Sequence, residues 1–313
     1  MKFMNDYMEN DMYKKKAFAF SITLWIIASL LFATVVILRF AKDEVNLSKG
    51  LNNKLQSQII AQSILELLKF YIPTADYTSN SIKNNLLKNT NYPLPSEIIV
   101  DGREYNITKN ITISLIDTSG MVNIMYASGR SIANTLSYDE NSVTSLTDTF
   151  EDWIDVDNLK RINGAEQNNY SKFKGGLKVR NSKSIQDIHE LQLIKGFDKI
   201  DFDFINKNIY YGRDSSINLM LINNKRYLSF LLGLDIKSIN EILELRDMEP
   251  LKFIKRVNYA PKYNDDYMGL SLSKEFIIKI KVEQDRGRTL LSTLLSFEKI
   301  LNKPYMTISY SIY

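Results

Sequence analysis

The sequence has no cysteine and a single histidine among its 313 residues. Without cysteine the chain forms no disulfide and no thiolate metal site, and it has no cysteine nucleophile. With His189 as the only imidazole, a Ser-His-Asp triad or a multi-histidine metal site has almost no raw material. Several common enzyme classes are therefore poor interpretations of this chain.

A strong net charge is also missing. The 40 basic and 36 acidic side chains sum to +4 and are scattered along the chain, with no basic run beyond Lys14–Lys16. This charge distribution predicts no nucleic-acid partner. The hydrophobic content of 44% is enough for at least one sizeable core.

One long uncharged run stands out near the N-terminus. Residues 17–38, AFAFSITLWIIASLLFATVVIL, contain 22 positions without a charge. At about 1.5 Å per helical residue, this run covers the roughly 30 Å hydrocarbon layer of a bilayer. A cleaved secretory peptide is a poorer interpretation, because its apolar region is shorter and ends in a small-residue cleavage site. The sequence therefore predicts a membrane-spanning helix.

The charges on either side of this run indicate its orientation. Lys14–Lys16 precede it, whereas the downstream flank, residues 39–44, carries both signs. The positive-inside bias therefore places the N-terminus in the cytoplasm and the residues after about 40 on the opposite side.

The helix is expected to continue beyond the membrane. No proline interrupts residues 18–72, and we expect 18–39 to span the membrane and 40–72 to continue as an amphipathic helix. Pro73 should end it. The apolar positions that recur at three- and four-residue steps are Leu47, Leu51, Leu55, Ile59, Ile60, Ile64, Leu67, Leu68 and Tyr71.

The N-terminus resembles that of type IV pilins and pseudopilins. Residues 1–17 form a basic leader that ends in a small residue, and Phe18 opens the apolar stretch, as in KKKAFAFSI. The resemblance implies that a prepilin peptidase cuts between Ala17 and Phe18 and that the new amino terminus is methylated. The family usually has glycine before the cut and glutamate at the fifth mature position, where this chain has Ala17 and Ile22.

The missing glutamate has a physical consequence. A carboxylate in an apolar helix bundle needs a partner, and in these filaments it is thought to meet a neighbouring subunit's terminal ammonium. Ile22 cannot form that pair. The resemblance thus favours a subunit at the filament tip, where no neighbour lies above.

The remainder of the chain predicts an α+β fold. Residues 97–125 alternate apolar and polar side chains around Asp101-Gly102 and Ser119-Gly120 turns, which indicates two or three antiparallel strands. Three more strand-like segments follow near the C-terminus, at 276–284, 289–301 and 304–313, the first two separated by a turn at 285–288.

Helical spacing dominates the middle of the chain. Residues 184–197 and 235–257 have apolar residues at helical intervals, with Ser184 and Asp235 as candidate N-caps. We therefore expect an α-helical insertion domain, residues 140–255, within a pilin-like α/β domain. That domain comprises residues 73–139 and 256–313.

A set of motifs in this body resembles the K-type minor pseudopilin of type II secretion. The most specific is DWIDVDNLKRINGAEQNNY, and the weaker ones occur in the same order as in that family. Their positions are 116–124, 152–170, 184–197, 217–247 and 269–283. The resemblance implies a non-enzymatic subunit that assembles with I- and J-type minor pseudopilins, initiates the pseudopilus and aids protein export. It also implies a single-pass protein of the inner membrane with a periplasmic C-terminal domain.

Two alternatives stay open. A minor pilin of a type IV pilus or DNA-uptake system would share the assembly mechanism. A receptor or adhesin held by an uncleaved signal anchor would not, and a methylated mature N-terminus at Phe18 would separate it from a pseudopilin.

An acidic segment, residues 151–170, is the strongest candidate site. Its oxygen-bearing side chains surround an Asn163-Gly164 turn, and calcium binds six to eight hard oxygen ligands. A solvated acidic turn is the alternative, and the spacing is not that of an EF-hand. The resemblance favours calcium, because K-type pseudopilins of known fold carry it in this insertion. The best-matching ligands are Asp155, Asp157 and Glu166, followed by Asp152 and Asn163.

Other residues of this region have simpler expected roles. A catalytic carboxylate pair would need a substrate cleft, for which the sequence gives no sign. We expect Trp153 to be a core residue beneath the acidic loop and His189 to lie at the surface. Residues 191–197 could be taken for a phosphate-binding helical hairpin, but a compact turn that buries its apolar side chains is favoured.

Overall fold

The computed structural model describes residues 2–86, 92–137, 139–170, 178–180, 184–285, 287–298 and 303–313. For residues 2–17 and 19 it describes the backbone alone. The described chain has a long N-terminal helix, antiparallel strands and a set of shorter helices between them. The predicted α+β fold is thus confirmed.

Eight α-helices occur among the described residues. They are α1 (Lys2–Tyr71), α2 (Gly129–Leu136), α3 (Glu140–Ile154), α4 (Gln167–Tyr170), α5 (Phe202–Asn208), α6 (Lys225–Leu232), α7 (Ile236–Met248) and α8 (Pro250–Asn258). Three 3₁₀ helices lie at Thr118–Gly120, Ile188–Leu193 and Phe197–Lys199.

The strands are mostly short. They are β1 (Asp76–Tyr77), β2 (Ser81–Lys83), β3 (Glu97–Ile99), β4 (Asp101–Thr108), β5 (Ile111–Asp117), β6 (Val122–Asn123), β7 (Ile209–Tyr210), β8 (Ile217–Asn218), β9 (Met268–Gly269), β10 (Glu275–Gln284), β11 (Gly287–Ser296) and β12 (Met306–Ile312). The main sheet has the order β12-β11-β10-β5-β4, and a smaller sheet has the order β1-β2-β3. Two parallel pairs, β6-β7 and β8-β9, link distant parts of the chain.

The chain divides into two compact units. The first comprises Met1–Ser57 and Glu283–Arg288, and the second comprises Gln58–Val282 and Thr289–Tyr313. In the first unit the Lys54 ammonium donates to the Arg288 carbonyl at 2.6 Å. A Cβ on Gly287 would lie 2.6 Å from the Asn53 carbonyl carbon, so glycine allows the strand to approach the helix closely here.

The α1 helix is the one described helix that is long and apolar enough to cross a membrane. Its most apolar 18-residue window has a mean hydropathy of 2.5 and none of it is buried. The helix ends at Tyr71, two residues before Pro73, as predicted from the loss of an amide donor and the steric effect of proline.

The apolar stripe of α1 changes its surroundings along the helix. Leu51 and Leu55 are exposed, whereas Ile64, Leu68 and Tyr71 are completely buried. In the second unit, these buried residues share a hydrophobic core with alternate side chains of the main sheet. Those of β10 are Phe276, Ile278, Ile280 and Val282.

The helical region has a core of its own. Its buried cluster begins at Val122 and extends to Met268, with Trp153, Phe197 and Phe253 among its largest members. The cluster therefore includes α2 and β6, which precede the predicted insertion of 140–255, and β9, which follows it.

The predicted Asp101-Gly102 turn is wrong. Strand β4 begins at Asp101 and pairs with β5, and the hairpin between them turns at residues 109–110. Gly102, at φ +91°, instead lies where the register shifts between Asp101 and Glu104, which marks a β-bulge. A Cβ there would also lie 2.9 Å from the Ile116 side chain, which explains the glycine.

The predicted Ser119-Gly120 turn is also not a hairpin. Residues Thr118–Gly120 form a 3₁₀ helix that leads from β5 to β6, and β6 pairs in parallel with β7. Asp117 caps this helix by accepting a hydrogen bond from the Ser119 amide at 2.9 Å. Of the predicted turn at 285–288, only Asp285 is described as a turn residue: β10 ends at Gln284, Gly287 and Arg288 already belong to β11, and Arg286 lies outside the described residues. The predicted strand at 289–301 ends at Ser296, and its residues 299–301 lie outside the described residues.

The helical middle differs from the prediction in two places. Residues 184–197 form short 3₁₀ helices, and the first is capped by Asp187 instead of Ser184. Residues 235–257 form two helices instead of one, because Pro250 cannot donate the hydrogen bond that would continue α7. The predicted cap Asp235 is confirmed, since its carboxylate accepts from the Ser238 amide at 2.9 Å.

Asp117 is a buried carboxyl group at the end of β5. Its side chain is 1% exposed, and its Oδ2 atom has no hydrogen-bond partner among the described residues. Burial raises the pKa of Asp117 to about 6, although hydrogen bonds from Ser119 and Ser273 act against the rise. The pKa of Asp117 is higher in the folded protein than in the unfolded chain. The protonated carboxyl group therefore contributes fully to the free energy of unfolding below about pH 4, and this contribution is lost as the pH rises through about 6.

We predict that Asp117→Asn removes this pH dependence. The amide keeps an acceptor for Ser119 but does not ionise, so the variant should gain on the order of 2–3 kcal/mol relative to wild type between pH 4 and pH 7. Denaturant unfolding of the full-length chain in detergent measures this difference. The exposed Asp266→Asn variant is the control, and a pH-independent gap between Asp117→Asn and wild type would contradict the prediction.

Candidate metal centre

The C-terminal end of α3 supplies two carboxylates. The helix begins at the cap Asp139, whose carboxylate accepts from the Ser142 amide at 2.9 Å. Its apolar side chains face the helical core, and Asp152 in the last turn is completely buried. Asp155 is the C-cap residue, three positions later, and therefore lies on the same side of the helix.

The chain then returns to the same place. Residues 156–163 form a loop, and the turn from Arg161 to Gly164 is closed by a hydrogen bond from the Gly164 amide to the Arg161 carbonyl at 3.1 Å. A Cβ on Gly164 would lie 1.8 Å from Asp152 Oδ2. Only glycine lets the loop approach this carboxylate and bring Glu166 beside it.

Three carboxylates meet at this point. One oxygen from each of Asp152, Asp155 and Glu166 lies within 4.8 Å of the others. Glu166 is 5% exposed, and neither of its carboxylate oxygens has a hydrogen-bond partner among the described residues. The same is true of Asp155 Oδ1. Buried polar atoms normally have partners, and the lack of one leaves these oxygens available as ligands for a cation.

Arg161 is the cation that the chain itself supplies. Its Nη1 atom lies 2.6 Å from Asp152 Oδ1 and 2.5 Å from Asp155 Oδ2, and its backbone amide also donates to Asp152. Hydrogen bonds to Asp155 and Asp152 raise the pKa of Arg161 above its usual range. The centre thus places three carboxyl groups beside one guanidinium, which contacts only two of them.

Glu166 carries the electrostatic cost of this arrangement. Burial raises the pKa of Glu166, and the neighbouring charges of Asp152 and Asp155 raise it further. Desolvation and like charges both disfavour an ionised carboxylate. A divalent cation would reverse both effects, and an all-oxygen donor set of this kind suits calcium.

A buried hydrogen-bond network adjoins the carboxylate group through Trp153, which follows Asp152 in α3. The Trp153 indole donates to Glu190 Oε1 at 2.7 Å, and Arg180 donates to the same carboxylate through Nε at 2.6 Å. Burial acts to raise the pKa of Glu190, but the hydrogen bonds from Arg180 and Trp153 hold it below the usual value. Trp153 also packs edge-on against Tyr170, with ring centroids 5.0 Å apart. The expectation that Trp153 is a core residue is thus confirmed.

Two of the five predicted ligands lie outside the carboxylate group. Asp157 is exposed and accepts from the Leu159 amide at 2.8 Å. The Asn163 amide side chain donates to Asp148 at 3.1 Å. The structure therefore brings together Asp152, Asp155 and Glu166. The prediction from the sequence also included the loop residues Asp157 and Asn163, and it did not include Arg161.

The other residues for which the sequence suggested a role lie at the surface or in the core. His189 is exposed and lies 2.6 Å from Asp187. Leu191, Ile194 and Phe197 are completely buried, as expected for a compact turn. At the predicted processing site, Phe18 is 69% exposed, whereas the side chain of Ala17 lies outside the described residues.

Comparison with known proteins bears directly on the helical region. Residues 124–209 match the family model described as type II secretion system (T2SS), protein K. These residues carry a protein K domain. The match spans α2 to β7 and includes Asp152, Asp155 and Glu166, and it confirms the predicted resemblance to protein K.

Among solved structures, the chain is similar to one from the GspK-GspI-GspJ complex of the enterotoxigenic Escherichia coli type 2 secretion system. The sequence identity is 12% and the TM-score 0.49, with 87% of this chain and 99% of that chain covered. No curated protein sequence matches the chain significantly.

We predict that Gly164→Ala destabilises the protein K domain. The added methyl group would collide with the buried Asp152 carboxylate, and we expect a loss of about 2 kcal/mol or more in the free energy of unfolding. Gly269→Ala is the matched control, because its Cβ would meet nothing closer than 3.9 Å. Equal melting temperatures for the two variants would show that the loop does not approach Asp152 so closely.

Proposed function

We propose that this chain is a minor pseudopilin of type II secretion that occupies the tip of the pseudopilus and joins its partners through the exposed apolar surface of α1. The observation that carries the proposal is the exposure of that surface in the first unit. Phe18, Ile22 and Trp25 are 69%, 44% and 75% exposed. A surface of this size is covered by lipid or by other helices in any stable state.

The two parts of the helix would associate for different physical reasons. Within the bilayer, lipid is as apolar as leucine, so helices associate through close packing. Beyond the bilayer, Leu47, Leu51, Leu55 and Ile59 are 47–65% exposed to water. Covering them with a partner helix contributes about 25 cal/mol for each Å² of apolar surface buried.

Ile22 supports a position at the tip. It stands where most pilins carry a glutamate, and an aliphatic side chain cannot pair with a terminal ammonium from a subunit above. In the middle of the filament, a subunit with isoleucine at this position would lose the ion pair with its neighbour. At the tip no subunit lies above, so no ion pair is lost.

The proposed partners are other minor pseudopilins, of the I and J types. The α1 stripe and the globular part would both contribute to the assembly, which initiates the pseudopilus and aids protein export. The role is structural and not catalytic. The protein K domain favours type II secretion over a type IV pilus.

Membrane placement and processing complete the proposal. The N-terminus would lie in the cytoplasm and the C-terminal domain in the periplasm, with α1 crossing the inner membrane once. A prepilin peptidase would cut between Ala17 and Phe18, and the new amine would be methylated.

Mass spectrometry of the native N-terminus should therefore find methylated Phe18, whereas an intact leader would favour a signal-anchored receptor or adhesin.

We also propose that the carboxylate group holds calcium. Asp152, Asp155 and Glu166 would be the ligands, and the orphaned oxygens of Asp155 and Glu166 support this assignment. Bound calcium would supply charge compensation, not a reaction. Since Trp153 and the core lie directly beneath, occupancy would stabilise the protein K domain.

A double substitution tests the proposed assembly surface. Leu51→Asp with Leu55→Asp puts two charges on the exposed stripe, where burial against a partner would leave them unpaired. We expect loss of copurification with the partner minor pseudopilins, by at least about tenfold, from detergent-solubilised membranes.

The control uses the same helix. Gln56→Asp adds a charge at an exposed position on another face of α1, about 100° from Leu55 in the helical wheel. Both proteins should retain the wild-type melting temperature, because Leu51 and Leu55 are exposed. Normal copurification of the double variant would sink the proposed role of the stripe.

A further inference from the structure

The guanidinium of Arg161 lies among the carboxylates that are proposed to bind the cation. Its Nη1 atom contacts Asp152 Oδ1 and Asp155 Oδ2 at 2.6 and 2.5 Å. These two residues and Glu166 are also the ones whose oxygens converge within 4.8 Å. The two positive species would therefore compete for the same oxygens.

The contact comes from a loop that is otherwise exposed. Arg161 itself has 38% of its side chain exposed, and its neighbours Val156, Leu159 and Ile162 are 63%, 77% and 94% exposed. The loop buries little apolar surface, so polar contacts hold it against α3. Arg161 and its backbone amide bind Asp152 and Asp155, and Asn163, at the end of the loop, donates to Asp148 at 3.1 Å through its backbone and its side chain. A change at Arg161 thus has a direct effect on the position of the loop.

Charge compensation by Arg161 is incomplete. One guanidinium satisfies one oxygen each of Asp152 and Asp155, while Asp155 Oδ1 and both oxygens of Glu166 receive no hydrogen bond from a described residue. A divalent cation carries twice the charge and binds several carboxylates at once. The cation can therefore displace Arg161, and Arg161 can hold the carboxylates together in its absence.

We propose that Arg161 is a displaceable internal counter-ion: it occupies the Asp152-Asp155 pair in the metal-free state and is expelled, together with the 156–163 loop, when a divalent cation binds. This inference rests on the proposed calcium site. It adds that the site has two states and that cation binding is coupled to the position of three exposed aliphatic side chains. The coupling is reciprocal, so any partner that holds the loop outward raises cation affinity.

The first test compares calcium affinities by calorimetry on the full-length chain in detergent. Arg161→Gln removes the competitor, and we expect it to bind calcium about tenfold more tightly than wild type, or about 1.4 kcal/mol. Lys160→Gln is the matched control, since it removes the same charge from the neighbouring exposed position and should change the affinity little. Glu166→Gln removes a ligand and should bind calcium at least about tenfold more weakly.

The second test follows the guanidinium in wild-type protein, so it does not depend on any variant that folds poorly. Phenylglyoxal modifies accessible guanidinium groups, and mass spectrometry of peptides measures the rate at each arginine. We expect Arg161 to react faster in calcium than in chelator. Arg103, paired with Asp101 at 2.7 Å outside this centre, should react equally in both.

The outcomes separate the two proposals. Tighter binding by Arg161→Gln together with faster labelling of Arg161 supports the counter-ion. If calcium binds and Glu166→Gln weakens it, but Arg161→Gln binds no more tightly than wild type, the site stands and the counter-ion is overturned; unchanged Arg161 labelling in calcium has the same meaning. If neither wild type nor Arg161→Gln binds calcium, the calcium site itself is overturned.

Discussion

The N-terminal helix carries more apolar surface than the chain itself covers. Its last part, around Ile64 and Leu68, is buried against the main sheet, but most of the large apolar side chains described between Phe18 and Ile59 are exposed. Removing apolar surface from water is the dominant favourable term in folding and association. The two parts of the helix therefore have different roles. The C-terminal part belongs to the core of the globular part, whereas the N-terminal part needs a membrane or a partner to cover its apolar side chains.

The carboxylate centre likewise contains groups that the rest of the chain satisfies only in part, in this case charged ones. Asp152 and Glu166 are buried where the chain through Gly164 meets the end of α3, and Arg161 pairs only with Asp152 and Asp155. Leaving buried charges unpaired is costly. The proposed calcium ion would compensate the remaining charge and would thereby make the stability of the protein K domain depend on the ionic conditions around it.

Sequence reasoning succeeded where local chemistry decides the structure. Proline ended α1 as predicted, and Asp235 capped a helix, because these effects act within a few residues. The break at Pro250 between α7 and α8 is equally local, but the prediction did not include it. It failed where distant contacts decide. Gly102 looked like a hairpin turn but serves a bulge against Ile116, and residues 184–197 are 3₁₀ helices although their spacing is helical. Apolar spacing alone does not distinguish those helix types in short segments.

Trp153 gives the centre a built-in optical signal. The chain has two tryptophans, and the other, Trp25, lies in the apolar run of α1. The Trp153 indole shares Glu190 with Arg180 and packs against Tyr170, four residues after Glu166. If cation binding rearranges the carboxylates as proposed, the change would reach the Trp153 indole through adjacent residues. The tryptophan emission of an otherwise unlabelled protein would then report the state of the acidic loop.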